Sequence, residues 1–143
     1  MGVYVDTSAL AKWYLNEARS EDVEEYLREV CPVYISLLTK LEMTSLMARR
    51  RREDHVDAET QGKVLATFEG DIALGHLVLL PYTVESFLVA ESLVGAHPEI
   101  PLRTLDALHL GVIRSAGVGA LATADQVMAR AAEVLGIDCR TFF

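Results

Sequence analysis

Short apolar runs recur along the chain, separated by longer stretches whose apolar residues return every three or four positions. The runs are Val3–Val5, Val33–Ile35, Leu77–Leu80, Val118–Ala122 and, more weakly, Cys139–Phe143. The first four show little polar alternation, the pattern of strands covered on both faces. Helices are expected between them. Ser20-Glu21-Asp22 opens one with a capping residue and two acids at the positive helix end, and Val23, Leu27 and Val30 mark its apolar face. Ser36 opens the next, to about Arg52; a third spans about Asp57 to Ala73, and a fourth about Thr83 to Val94. His97-Pro98-Glu99-Ile100-Pro101 is a loop stiffened by its prolines. Another helix runs from about Leu102 to Ser115. The last begins at Thr123, with Gln126 three residues on as a capping box, and stops at Gly136. Strands alternating with helices predict an α/β fold in three layers, a mostly parallel sheet between helices. No repeat, low-complexity tract or linker breaks the pattern, so residues 1–143 read as one domain.

In such sheets ligands gather beyond the carboxyl ends of the strands. Asp6 and Asp125 both stand just after expected strands. Asp6, in "VYVDTSALAKWY", also suits the N-cap of a helix starting near Ser8. Glu42, in "ISLLTKLEMTSLMARR", has Leu38, Ser45 and Leu46 as helical neighbours and is flanked by Leu41 and Met43. A carboxylate beside an apolar face must be compensated, because burying an unpaired ion is costly. A pair with Lys40 or Arg49 is the ordinary solution; a metal, another cation or a raised pKa are the others. Asp106, in "IPLRTLDALHLGVIRS", shares a helical stripe with Leu102, Leu110 and Ile113. Its ordinary role is a first-turn acid behind a Thr104 cap, as Asp125 would be behind Thr123. Jointly the four say more. Two follow strand ends and two lie on inward helical faces. Carboxylates converging in one cleft cannot all ionise without a cation. Hard oxygen donors without a thiolate favour magnesium or manganese over zinc or copper. His109, three residues after Asp106, is expected to be a satisfied structural histidine. His55, His76 and His97 fall in loops or at helix ends and receive no role.

Composition narrows the options. The formal charge of −8 argues against broad coating of nucleic acid, although bound cations reverse the sign of a local acidic site. "ARRRRED" is the basic run; Arg49, Arg50, Arg51 and Arg52 either hold RNA phosphates at a cleft rim or end a solvated helix. Cys31 and Cys139 have no metal-type spacing and are expected to be buried free thiols. No apolar run approaches the roughly 20 residues of a membrane span, and the start lacks a basic region before an apolar block. A soluble cytoplasmic protein with no membrane partner is expected. Gly117-Val118-Gly119 is a turn, and no phosphate-binding glycine motif occurs. The faces around Leu27 and Leu65 suggest surface left for partners. Two other folds place an acid after strand one. A haloacid-dehalogenase-type phosphatase needs a second Asp where Ser8 stands. A phosphoacceptor receiver needs an acidic pair and a late lysine, and Cys139–Phe143 has none.

The chain resembles the PIN-domain family, in particular its VapC-type ribonuclease toxins. "VYVDTSALAKWY" is similar to the family's opening strand and acid, "YISLLTKLEMTSLMARR" to the helix with its second acid, "PLRTLDALHLGVI" to its third-acid helix and "GALATADQVMARAAEVLGI" to the fourth. The likeness covers essentially the whole chain. It implies a five-stranded parallel sheet and an endoribonuclease whose quartet is Asp6, Glu42, Asp106 and Asp125, all present. That quartet would hold one or two Mg²⁺ or Mn²⁺ ions, with Thr7, Ser8 or Thr123 assisting. The resemblance also implies an RNA substrate, a small antitoxin protein as partner and a homodimer. A PIN nuclease of RNA processing, or a catalytically silent PIN-like module that binds partners, would share the same pattern.

Overall fold

Val3, Tyr4 and Val5 are almost wholly buried, and they form the middle strand of the sheet. The computed structural model describes residues 2–143; the first residue of the expected 1–143 domain lies outside them. In chain order the elements are β1 (Val3–Val5), α1 (Thr7–Tyr14), α2 (Ser20–Glu29), β2 (Val33–Ser36), α3 (Leu37–Arg52), α4 (Ala58–Ala73), β3 (Val78–Leu80), α5 (Val84–Ala96), α6 (Thr104–Ala116), β4 (Ala120–Thr123), α7 (Gln126–Val134) and β5 (Asp138–Thr141). The five strands run in the order β3-β2-β1-β4-β5, and every pairing is parallel. Strand order therefore reverses around β1. Such a switch point opens a crevice at the carboxyl edge of the sheet, here between β1 and β4.

Alternation along each strand divides the core. Val3, Val5, Val33 and Ile35 face one layer with Leu10 of α1, Val23 and Leu27 of α2, Met43 of α3 and Phe68 of α4. Tyr4 and Leu121 face the other with Leu93 of α5, Leu110 and Ile113 of α6, and Met128 and Ala132 of α7. The three-layer α/β/α arrangement follows from that division.

Several details depart from the sequence reading. β3 is an edge strand, with Leu79 exposed, and is not covered on both faces. The last two strands are offset from their apolar runs, because Thr123 and Asp138 join the ladder while Val118 and Phe143 do not. α7 starts at Gln126 behind an Asp125 cap and not at Thr123. α6 follows Arg103, so Thr104 is its first residue and does not cap it. Cys31 is exposed and Cys139 only half-buried, so neither is the fully buried thiol expected. Leu27 is core and presents nothing to partners. Exposed apolar surface lies instead on α5 at Val84, Phe87 and Leu88, and at Leu105 of α6.

α6 carries Asp106 and packs tightly on α5 at Gly111. A Cβ there would stand 2.2 Å from the Ser86 carbonyl oxygen, a backbone atom that cannot step aside. Gly111→Ala should therefore push α6 off α5 and lower the unfolding free energy by about 2 kcal/mol, as overpacking does. Thermal melting checks this; an unchanged midpoint would contradict the close packing.

Candidate active site

The chain puts a carboxylate at the tip of a buried strand and then surrounds it with its own donors. Asp6 is 3% exposed. Its backbone is extended and its Oδ1 caps α1, accepting from the Ala9 amide at 3.1 Å and from Ser8 Oγ at 2.6 Å. Oδ2 accepts from Thr123 Oγ1 at 2.5 Å, across the β1–β4 crevice. Burial pushes the carboxyl above the usual range, and the bonds from Ser8 and Thr123 and the nearby His109 offset that only in part. Ser8 Oγ also accepts from the Ala124 amide at 2.9 Å, so the ends of β1 and β4 are tied together. Thr123 Oγ1 also accepts from the Asp125 amide at 3.0 Å, and Asp125 in turn caps α7. Its Oδ1 accepts from the Val127 and Met128 amides at 2.8 and 3.0 Å.

α3 brings Glu42 to the same edge. Its half-buried carboxylate accepts at Oε1 from Thr7 Oγ1 at 2.8 Å and from His109 Nε2. Burial pushes its pKa up, but the hydrogen bond and charge of His109, with Thr7 and Arg103, outweigh this and hold it below the usual range. The expected partners are absent: Lys40 pairs with Glu69 at 3.2 Å, and the imidazole replaces it and Arg49 at Glu42. His109 is 2% exposed, and its Nδ1 lies 2.6 Å from the Tyr4 hydroxyl. An ionised Glu42 only accepts, so Nε2 carries the hydrogen. Nδ1 is within hydrogen-bond reach of the Tyr4 hydroxyl, and burial pushes that phenol well above its ordinary pKa and keeps it protonated. Tyr4 sits in turn against Ser36 Oγ at 2.9 Å. His109 is thus satisfied, as expected of a structural residue, but it also orients an acid of the candidate site.

Asp106 and Asp125 meet through Arg103. The Nε of Arg103 donates to Asp106 Oδ2 at 3.2 Å and its Nη2 to Asp125 Oδ2 at 3.5 Å. Asp106, Asp125 and Glu42 together raise the guanidinium's pKa. The structure therefore brings all four expected acids to one edge, joined by Thr123, Thr7, His109 and Arg103. It does not set them as a bare ligand shell. Among the described residues, no three histidine, cysteine or acidic side chains stand in position to hold one metal ion together. The donor set still suits a hard divalent cation: it is all carboxylate and hydroxyl oxygen, and a positive group already sits among its members.

A cleft of about 460 Å³ borders this edge, lined by Thr7, Ser8, Arg49, Arg50 and Arg103 among others and, of the four acids, by Glu42 alone. A larger groove of about 610 Å³ between α7 and β5 holds none of the four acids. Of the basic run, Arg49 and Arg50 reach the cleft. Arg50 also pairs with Glu17 at 3.2 Å. Arg51 donates to Gln61 Oε1 on α4 at 3.2 Å, and Arg52 is exposed away from the cleft lining. Arg103 and the orienting role of His109 escaped the sequence reading. Their signal was spacing: both lie three residues from Asp106, on its helical face.

The PIN domain family model matches residues 3–134. Ribonuclease VapC46 of Mycobacterium tuberculosis (strain ATCC 25618 / H37Rv) is 33% identical over 137 residues, covering 94% of this chain and 93% of that protein. The crystal structure of VapC20 from Mycobacterium tuberculosis, described as a Sarcin-Ricin loop cleaving toxin, aligns with a TM-score of 0.72 at 20% identity, over 90% of this chain and 94% of that one. DNA-bound VapBC from Salmonella typhimurium aligns with a TM-score of 0.71 at 18% identity, over the whole of both chains. The two structural likenesses concern the fold.

His109→Ala would leave the Tyr4 hydroxyl and the Glu42 carboxylate without their shared partner. It should lower the unfolding free energy by about 2–4 kcal/mol, against about 1 kcal/mol for Thr7→Ala. Urea unfolding measures both, and equal small losses would contradict the linked network.

Proposed function

The chain belongs to the PIN domain family, and from that premise we propose that it is a Mg²⁺- or Mn²⁺-dependent endoribonuclease, the toxin of a toxin–antitoxin pair. The observation that carries the reading is the buried Asp6 at the switch point, with Glu42, Asp106 and Asp125 brought to the same edge by three other segments. The ribonuclease named among its relatives and the paired toxin–antitoxin structure among its fold neighbours support the substrate class and the partner.

Asp6 and Asp106 would hold the ion directly, with Glu42 and Asp125 completing the set. A divalent ion there supplies the charge that neutralises a phosphodiester and activates water. The chain's own residues prepare that place. Ser8 and Thr123 fix both oxygens of Asp6, so its carboxylate does not turn. Thr7 and His109 hold Glu42, and the buried Tyr4 holds His109. Arg49 and Arg50 face the cleft, where they suit the phosphates of an RNA strand. Attack by external water leaves a 5′-phosphate and a 3′-hydroxyl, whereas metal-free ribonucleases leave a cyclic phosphate. The antitoxin would be a small protein, the compartment the cytoplasm, and the α5–α6 face with Phe87, Leu88 and Leu105 the surface of a homodimer. Among the described residues, no helix is long and apolar enough to cross a membrane.

One feature favours a second reading. Arg103 already satisfies Asp106 and Asp125, as it would in a silent PIN-like module that only binds partners. Metal binding separates the two, because a ligand of the native state raises the melting temperature. The nuclease reading predicts that Mn²⁺ raises it for the natural chain. It also predicts that Asp106→Asn keeps the fold by circular dichroism and loses on the order of 10²–10³ in cleavage of RNA, the scale of a lost electrostatic contact to the reaction. Undiminished cleavage by that variant would refute the assignment. For the rim, Arg49→Gln with Arg50→Gln should reduce the slope of log affinity against log salt by about 1.4, from two phosphate contacts at roughly 0.7 each on a single strand. Filter binding at graded salt reads it, and an unaltered slope would remove the arginines from the interface.

A further inference from the structure

Arg103 is the residue whose placement the nuclease reading does not explain. Its side chain is 76% exposed, yet it turns back to hydrogen-bond Asp106 and Asp125, two carboxylates from separate segments. Those acids are 11% and 25% exposed in their side chains, so the cation comes from solvent to them. No side-chain cap or packing duty accounts for this: Arg103 precedes α6 without a capping bond from its side chain. Its position at the head of the helix is itself unfavourable for a cation, since that end of a helix is positive. Attraction to the acids must outweigh that repulsion.

We propose that Arg103 is an internal counter-ion that stands among the acids in place of the divalent ion and must be displaced before the ion loads. The inference rests on the divalent-ion reading of that cluster and adds a regulation to it. Exposure makes the exchange feasible, because the guanidinium gives up two solvent-screened ion pairs and moves into water. Without such a cation Asp106 would lose its side-chain partner, and Asp125 would keep only the two amides it caps. The acid site then holds a cation in both states, the arginine when empty and the ion when loaded. Loading becomes a competition whose balance the arginine sets.

Calorimetric titration of the chelator-treated protein with Mn²⁺ tests this, with melting in EDTA as a second measurement. Arg103→Gln should bind Mn²⁺ roughly threefold to tenfold more tightly, the range set by giving up two exposed ion pairs. In EDTA it should melt a few degrees lower than the natural chain. Arg103→Lys should stay near the natural chain in both. Arg49→Gln, another arginine at the cleft that touches none of the four acids, should change Mn²⁺ affinity less than twofold. Equal or weaker Mn²⁺ binding by Arg103→Gln would overturn the proposal, as would an equal gain in Arg49→Gln, which would mark a general field effect. Binding by Arg103→Gln alone would support it in its strongest form. Absence of binding by every protein would overturn the divalent-ion reading together with this one, whereas binding at unchanged affinity overturns this one alone.

Discussion

Four carboxylates gathered at one edge of a buried sheet must be neutralised, and the surrounding structure is organised by that demand. In a medium less polar than water, like charges near one another repel strongly and unpaired ions lose hydration they cannot recover. The chain answers with hydroxyls, an imidazole and a guanidinium. Ser8 and Thr123 close on Asp6, Thr7 and His109 on Glu42, and Arg103 on Asp106 and Asp125. Each of these donors lies within three residues of one of the four acids in sequence, so the segments that deliver the acids deliver their compensation too.

The fold makes the gathering possible. Strand order reverses at β1, so the ends of β1 and β4 lie side by side and Asp6 can reach Thr123. α3 follows β2 without a loop, because Ser36 ends the strand and caps the helix. That places Glu42 a little over one turn into α3, level with the strand ends. α6 leans on α5 at Gly111 and sets Asp106 and His109 over the same edge. Tyr4 then joins the layers: its ring lies in the second core, and its hydroxyl meets His109, Ser36 and Thr39. Core packing and the site therefore share side chains, which is why a change at His109 acts on both.

The strand–helix alternation and the four acids were legible in the sequence because they rest on periodicity and on acids in apolar company. Where the reading failed, tertiary competition decided. Thr123 suits an N-cap, but it ends β4, where its hydroxyl ties Asp6 to the Asp125 amide, and Asp125 caps α7. Glu42 pairs with His109, 67 residues away, and no local rule favours that over Lys40 or Arg49 two and seven positions off. Cys31 sits at an exposed strand entry that apolar content alone does not reveal. Arg103 was invisible for the same reason: its meaning depends on Asp125, which only the folded chain brings near.

The central claim is that the acids at the carboxyl edge share one divalent ion. Paramagnetic broadening of backbone amide signals by trace Mn²⁺ tests it most directly, since the effect falls off steeply with distance. The account predicts early loss of the signals of Asp6, Thr7, Glu42, Asp106 and Val127, reversed by excess Mg²⁺. Broadening centred instead on the acidic face of α2, at Glu21, Glu24 and Glu25, or spread evenly over the surface, would contradict it.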